Sequence, residues 1–302
     1  MPPRLRRQLA RSNDGWGNRL GSSQLHVWRD SLLSFRRQDC FTDEDRGALP
    51  SVADRRRAEP ARRPRTRDLE SVGMRTIAVI PARAGSRAIP RKNLRLVGGR
   101  SLVARTVEVA LSVVGIERVI VSTDSPRIAS TARHAGAETP FLRPERLASD
   151  EAATVDVVRH AVEWVEAESG PVDLIVTMQP TSPFCRPQSL RLALRTISDD
   201  PELDSVTTVA EVGLPASVVG VIRADRFESL WSAWADTRRQ TSPQLVRLTG
   251  AIYVSRRALI DAGRLLGDRP APIMTSGPEA IDIDDLDDLV AARRAHRQLA
   301  RA

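Results

Sequence analysis

The chain carries a single lysine, Lys92, against 45 arginines, and it lies within Ile80-Pro81-Ala82-Arg83-Ala84-Gly85-Ser86-Arg87-Ala88-Ile89-Pro90-Arg91-Lys92-Asn93. Elsewhere arginine serves wherever a positive charge is needed. An ammonium is a compact point charge on a flexible stem, whereas a guanidinium is a planar fork. One lysine kept among so many arginines therefore suggests a chemical task. Arg83, Arg87 and Arg91 share its loop with Gly85 and Ser86. Such a cluster of cations repels itself unless it is solvated or faces an anion. Glycine lets a backbone approach a ligand closely, and successive N–H groups cradle phosphate oxygens. The ligand class this loop suggests is a phosphate. It is not a Walker loop, which needs Gly-Lys-Ser/Thr opening a helix, and Gly85 lacks the partner glycines of a dinucleotide fingerprint.

A second constellation is Ile281-Asp282-Ile283-Asp284. Read as a strand end, its period of two puts both aspartates on one face and both isoleucines on the other. Two carboxylates side by side repel unless a cation separates them, and near phosphates Mg²⁺ is the natural choice. Asp284 could instead cap the following helix, whose Asp285, Asp287 and Asp288 and later Arg293, Arg294 and Arg297 suit the helix dipole. Capping leaves Asp282 unexplained. Gln179-Pro180-Thr181-Ser182-Pro183 follows an apolar run, with two prolines stiffening the turn. No Ser-His or Cys-His arrangement for covalent catalysis is visible.

Positioning these groups requires strands that end beside one another. The pattern reads as strands over Ile77–Pro81, Arg118–Thr123, Leu174–Met178, Ser205–Val209, Gly250–Ser255 and Ile281–Ile283. Helices are expected over Leu102–Val114, Pro126–His134, Thr154–Glu168 and Gln188–Ile197, with a last one from about Leu286. Apolar strands alternating with amphipathic helices imply an α/β fold: a mainly parallel sheet covered on both faces. Ligands of such sheets bind beyond the carboxyl ends of the strands, here after Ile80, Val121, Met178 and Ile283.

Charge is unevenly distributed. Residues 1–73 hold 16 arginines and 10 acidic residues, a net of +6, which leaves only +2 of the overall +8 for residues 74–302. The first 73 residues show no sustained period apart from a short amphipathic piece over Leu25–Phe35, and read as a disordered or non-native extension. Met74 reads as the structural beginning of the domain spanning 74–302. Acidic residues mixed among the arginines, with no interleaved aromatics, argue against a nucleic-acid-binding arm. Cys40 and Cys185 lie in different segments, which suits a reducing cytoplasm rather than a disulfide framework. His26, His134, His160 and His296 stand at no metal-ligand spacing, and no apolar run is long enough for a membrane span.

The Lys92 segment resembles the signature of the acylneuraminate cytidylyltransferases, also called CMP-sialic acid synthetases. Further similar blocks follow in order: Val121-Ser122-Thr123-Asp124, Leu142-Arg143-Pro144, Gln179 to Pro183, Gly250-Ala251-Ile252-Tyr253 and Ile281 to Asp284. The resemblance covers about residues 74–300. It implies a Rossmann-like three-layer sandwich of the nucleotide-diphospho-sugar transferase type. It also implies transfer of CMP from CTP to the anomeric hydroxyl of an acidic sugar, with Mg²⁺ on Asp282 and Asp284 and a homodimeric assembly. By the same resemblance Arg83 and Lys92 are catalytic, and Ala82, Arg83, Gly85, Ser86, Lys92, Asn93, Arg143, Ala152 and Thr154 bind nucleotide. Gln179, Arg239, Gln240, Arg247 and Tyr253 meet the sugar acid. Three positions depart from the pattern. Thr249 replaces an asparagine, Cys185 stands where an arginine is common with Arg186 next, and Leu214-Pro215-Ala216-Ser217 lacks a lysine. All three fall on the acceptor side, so they bear on which acid is used.

Overall fold

The computed structural model describes residues 73–214, 218–229 and 244–301. Its main sheet has six strands in the order β10-β6-β9-β5-β1-β4. These are β1 (Thr76–Pro81), β4 (Arg118–Ser122), β5 (Leu174–Met178), β6 (Ser205–Glu211), β9 (Val246–Arg256) and β10 (Ala271–Thr275). β1 pairs in parallel with β4 and β5, and β10 with β6, while β9 runs antiparallel to both β5 and β6. Two small sheets stand apart: β2 (Leu96–Val97) with β3 (Arg100–Ser101), and the hairpin β7 (Gly220–Arg223) with β8 (Arg226–Ser229).

β1 explains the layering. Ile77 and Val79 pack on one face against Val158, Ala161, Val162 and Val165 of α3 (Thr154–Ser169). Ala78 and Ile80 pack on the other face, against Val103, Val107 and Ala110 of α1 (Leu102–Leu111) and Leu190 and Leu194 of α4 (Pro187–Asp199). A strand buried on both faces must be apolar throughout. Ile77 and Ile80 are fully buried, each worth roughly 1.5–3 kcal/mol. α1 and α2 (Pro126–His134) start where Ser101 and Ser125 cap their first turns by accepting from the Ala104 and Ile128 N–H groups. The three-layer α/β sandwich expected from the pattern is therefore the observed fold.

A third apolar cluster fixes the site. Ile89, Val97 and Leu102 close on Ile283 and on Leu289 and Ala292 of α6 (Leu286–Leu299), the helix that follows the short α5 (Arg257–Asp261). It ties the Lys92 loop to the aspartate segment, 190 residues away in sequence. Here one expectation fails. Ile281–Asp284 is extended but belongs to no strand. It leaves a 3₁₀ turn over Gly277–Ala280 and makes one strand-like bond, Ile283 N–H to Thr181 O at 2.8 Å. A ladder needs a run of such bonds. The alternation still sorts the side chains, with Ile283 buried and Ile281 packed beside it. α1 also stops at Leu111 rather than Val114, and β9 begins four residues before Gly250. Residues 1–72, including Leu25–Phe35, lie outside the described residues.

Candidate active site

β1 delivers the chain into the cationic loop, and neighbouring elements hold that loop open. The Ala82 N–H continues toward β4 by donating to Ser122 O (2.9 Å). The Ala84 N–H donates to Asp124 Oδ1 (2.7 Å), and buried Asn93 donates from Nδ2 to Arg83 O (2.9 Å). Asn93 thus braces the loop from beneath. Arg91 takes the left-handed conformation (φ 57°) ahead of the short 3₁₀ turn Lys92–Leu94. That geometry costs a non-glycine residue roughly 1–2 kcal/mol. Gly85 faces open space, with no atom within 4 Å of where a Cβ would stand.

Lys92 is directed inward, its side chain only 16% exposed. Nζ donates to Ile283 O at 2.9 Å and reaches Asp284 Oδ1 at 3.5 Å. The lone lysine and the paired aspartates therefore form one constellation. Asp285, rather than Asp284, caps α6 in a reciprocal box with Asp288, so capping does not account for Asp284.

Arg143 lies at the end of β4, its N–H donating to Thr123 O (2.8 Å), and is buried. It donates from Nε to Ser122 Oγ (3.2 Å), from Nη1 to Leu147 O (3.4 Å) and from Nη2 to Ser122 O. Burial lowers its pKa to about 10, with Asp124 opposing and Arg83 assisting.

Asp282 is the most perturbed carboxyl. Burial, then the charge of Asp284, pushes it up to about 6, against Thr181, Lys92 and Arg247, which favour its ionised form. Thr181 lies close enough to influence it, yet neither Thr181 Oγ1 nor Asp282 Oδ1 makes a well-formed hydrogen bond. A buried carboxylate oxygen without a donor fits a hard cation. Only two carboxylates converge, since the described residues hold no group of three or more His, Cys, Asp or Glu able to ligate a metal. A bound cation would draw its remaining ligands from phosphate and water. At Gly250 (φ 75°) the backbone passes so near that a Cβ would lie 3.1 Å from Gln179 Oε1 and 3.8 Å from Asp282 Oδ2. Gln179 is thereby placed beside Asp282. Tyr253 lies nearby on β9, its hydroxyl pushed up to about 12 by burial and then by Asp282. Arg247 donates to Ala280 O at 2.6 Å.

A profile of the family described as cytidylyltransferase matches residues 77–239. The chain belongs to this family. A CMP-N,N'-diacetyllegionaminic acid synthase of Legionella pneumophila is 32% identical over 220 residues, which cover 70% of this chain and 91% of that protein. An N-acylneuraminate cytidylyltransferase of Escherichia coli O18:K1:H7 is 29% identical over 218 residues, 70% of this chain but 50% of that protein. Among solved structures, a CMP:2-keto-3-deoxy-manno-octonic acid synthetase complexed with CTP superposes with a TM-score of 0.56 at 23% identity, covering 74% of this chain and 99% of that one. That likeness concerns the fold.

Within this cytidylyltransferase, Ala82, Arg83, Gly85, Ser86, Lys92 and Asn93 share one segment between β1 and β2, braced by Asn93 on Arg83 O. Ala152 and Thr154 are half-buried at the entry to α3. Arg239, Gln240 and Pro215-Ala216-Ser217 lie outside the described residues. Thr249 shows what the missing amide leaves behind. Its hydroxyl turns into the sheet, 2.7 Å from Thr208 Oγ1, where β6 bulges against β9. Cys185 is buried, and burial and then Glu279 push its thiol up to about 12. Arg186 is turned to Glu279, its N–H donating at 3.1 Å. Asp124, which receives the Ala84 N–H, ends the Val121–Asp124 segment, and nothing in the local sequence marks Asp150 as the partner of Arg83.

Proposed function

We propose that this cytidylyltransferase transfers CMP from CTP to the anomeric hydroxyl of an acidic nine-carbon sugar. The hydroxyl oxygen bonds to the α-phosphorus as the bond to the bridging oxygen of the β-phosphate breaks, the hydroxyl proton is lost and pyrophosphate leaves. The observation that carries the reading is the convergence of the Lys92 ammonium with Asp282 and Asp284 at the mouth of the Arg83 loop. Arg83, Lys92 and the loop N–H groups hold the triphosphate and stabilise charge on the leaving group. Asn93 keeps the loop in register. Arg143, Ala152 and Thr154 line the nucleoside side, and Gln179, Tyr253 and Arg247, with Arg239 and Gln240, meet the acid. Asp282 and Asp284 would hold Mg²⁺, which when bound supplies charge neutralisation on the phosphates.

The names of the two relatives support an acylated nine-carbon acid as acceptor. Thr249 favours a second reading, an acid other than N-acetylneuraminate, because its hydroxyl is committed to Thr208. A homodimer accords with the hairpin β7–β8, whose Ile222 is 79% exposed. The described helices include none able to cross a membrane, and a cytoplasmic location accords with the two unpaired-by-spacing cysteines. Pyrophosphate release from CTP, screened over 2-keto sugar acids with and without Mg²⁺, tests the reading. Metal-dependent release with a nonulosonic acid is expected. Release only with an eight-carbon acid or a phosphonate would overturn the acceptor assignment.

A further inference from the structure

Two arginines of the cationic loop are already engaged by one protein carboxylate. Arg83 donates from Nη1 to Ser149 O (2.9 Å), and its Nη2 pairs with Asp150 Oδ1 at 2.5 Å. Arg87 pairs with the other oxygen, Oδ2. One carboxylate therefore spans two guanidiniums, as a phosphate oxygen pair would, while Asp124 occupies the Ala84 N–H. Asp150 comes from the opposite wall, in the short segment between the 3₁₀ turn Glu145–Leu147 and α3. Its side chain and that of Arg83 are each one-third exposed, and that of Arg87 is 80% exposed. Water and incoming ligand can reach the contact, and one negative charge against two positive ones leaves the pair incompletely neutralised.

We infer that Asp150 is an anionic placeholder: it holds Arg83 and Arg87 across the loop and is displaced when a triphosphate enters. The inference rests on the reading that Arg83 meets CTP phosphates. Asp150 keeps the Arg83 fork spread toward the site, limiting the rearrangement that binding requires. In return it competes with phosphate for the same donors and eases release of pyrophosphate after transfer. It acts through the arginines and is a positioning residue. Exposed ion pairs are individually weak and weaken further with salt. Relieving two of them sets the scale at about three- to tenfold in anion affinity.

The test is calorimetric titration of the full chain and of Asp150→Asn and Asp150→Ala with CTP and, separately, with inorganic pyrophosphate, at low and high salt. Both variants are expected to bind pyrophosphate and CTP about three- to tenfold more tightly at low salt. The gain should shrink at high salt. In turnover, the apparent KM for CTP should fall and pyrophosphate inhibition should tighten, with no gain in kcat. Asp150→Glu, which restores the charge, should return affinity toward wild type. Unchanged or weaker anion binding by both variants overturns the placeholder role. Absence of CTP binding by the wild-type chain would instead overturn the functional reading on which the inference rests.

Discussion

Asp282→Asn should make the metal-free protein more stable while abolishing its activity. The Asp282 carboxyl is buried and raised from 3.8 to about 6, first by burial and then by Asp284. A folded pKa above the unfolded one means that the folded state holds the proton more tightly. The penalty of ionisation is absent below the unfolded value, accrues as pH rises through the folded value and is complete above it. Two units at 1.36 kcal/mol each set a ceiling of roughly 3 kcal/mol. Relaxation reduces this to about 1–3 kcal/mol. Asparagine keeps the shape, removes the charge and can donate to an acceptor nearby. Thermal unfolding in chelator is the assay. At about pH 8 the variant should melt several degrees higher than wild type, at roughly 2–4 °C per kcal/mol, and near pH 4 the difference should vanish. Mg²⁺ with CTP should then stabilise the wild type but not the variant. Equal or lower stability of Asp282→Asn at alkaline pH, with chelator present, would refute the argument that this carboxylate is an uncompensated buried charge.

Lys92→Arg should lower kcat by on the order of 10²-fold, the cost of misplacing a catalytic contact by about 1 Å. The planar head cannot repeat a point contact at 2.9 Å to Ile283 O, and steady-state kinetics showing turnover within threefold of wild type would make the lone lysine an accident of composition. Residues 74–302 alone should remain folded and fully active, because the described β1 begins at Thr76; an insoluble or tenfold weaker truncation contradicts this. Cys185, buried with a thiol pushed up to about 12, should resist alkylation in the native protein at about pH 8 and react only on unfolding, as mass spectrometry of labelled peptides would show.

Much of this architecture was legible because strands buried on both faces leave continuous apolar runs, as in Thr76–Pro81 and Leu174–Met178. Elements without that signature escaped. β10 is an edge strand carrying Pro272, tolerated there because no ladder bond is demanded of its missing N–H. β7 and β8 are exposed, and β2 and β3 are two residues each. The Ile281–Asp284 segment has the alternation of a strand but lacks paired neighbours, which no local pattern reveals. In the site, Lys92 stood out by composition and Asp282 by alternation. Their meeting through Ile283 O depends on the Ile89–Leu289 cluster, a tertiary fact. Asp150 is 67 residues from Arg83 in sequence, and nothing local marks it as that residue's partner.

The most direct test of the central claim is ³¹P NMR of the purified chain incubated with CTP, Mg²⁺ and a nonulosonic acid. Cleavage between the α- and β-phosphates, with CMP passed to the anomeric oxygen, predicts loss of the three CTP resonances. In their place a single phosphodiester signal and pyrophosphate should appear in equal amounts. Persistence of CTP across the acid panel, or its conversion to CDP and inorganic phosphate, would contradict the account.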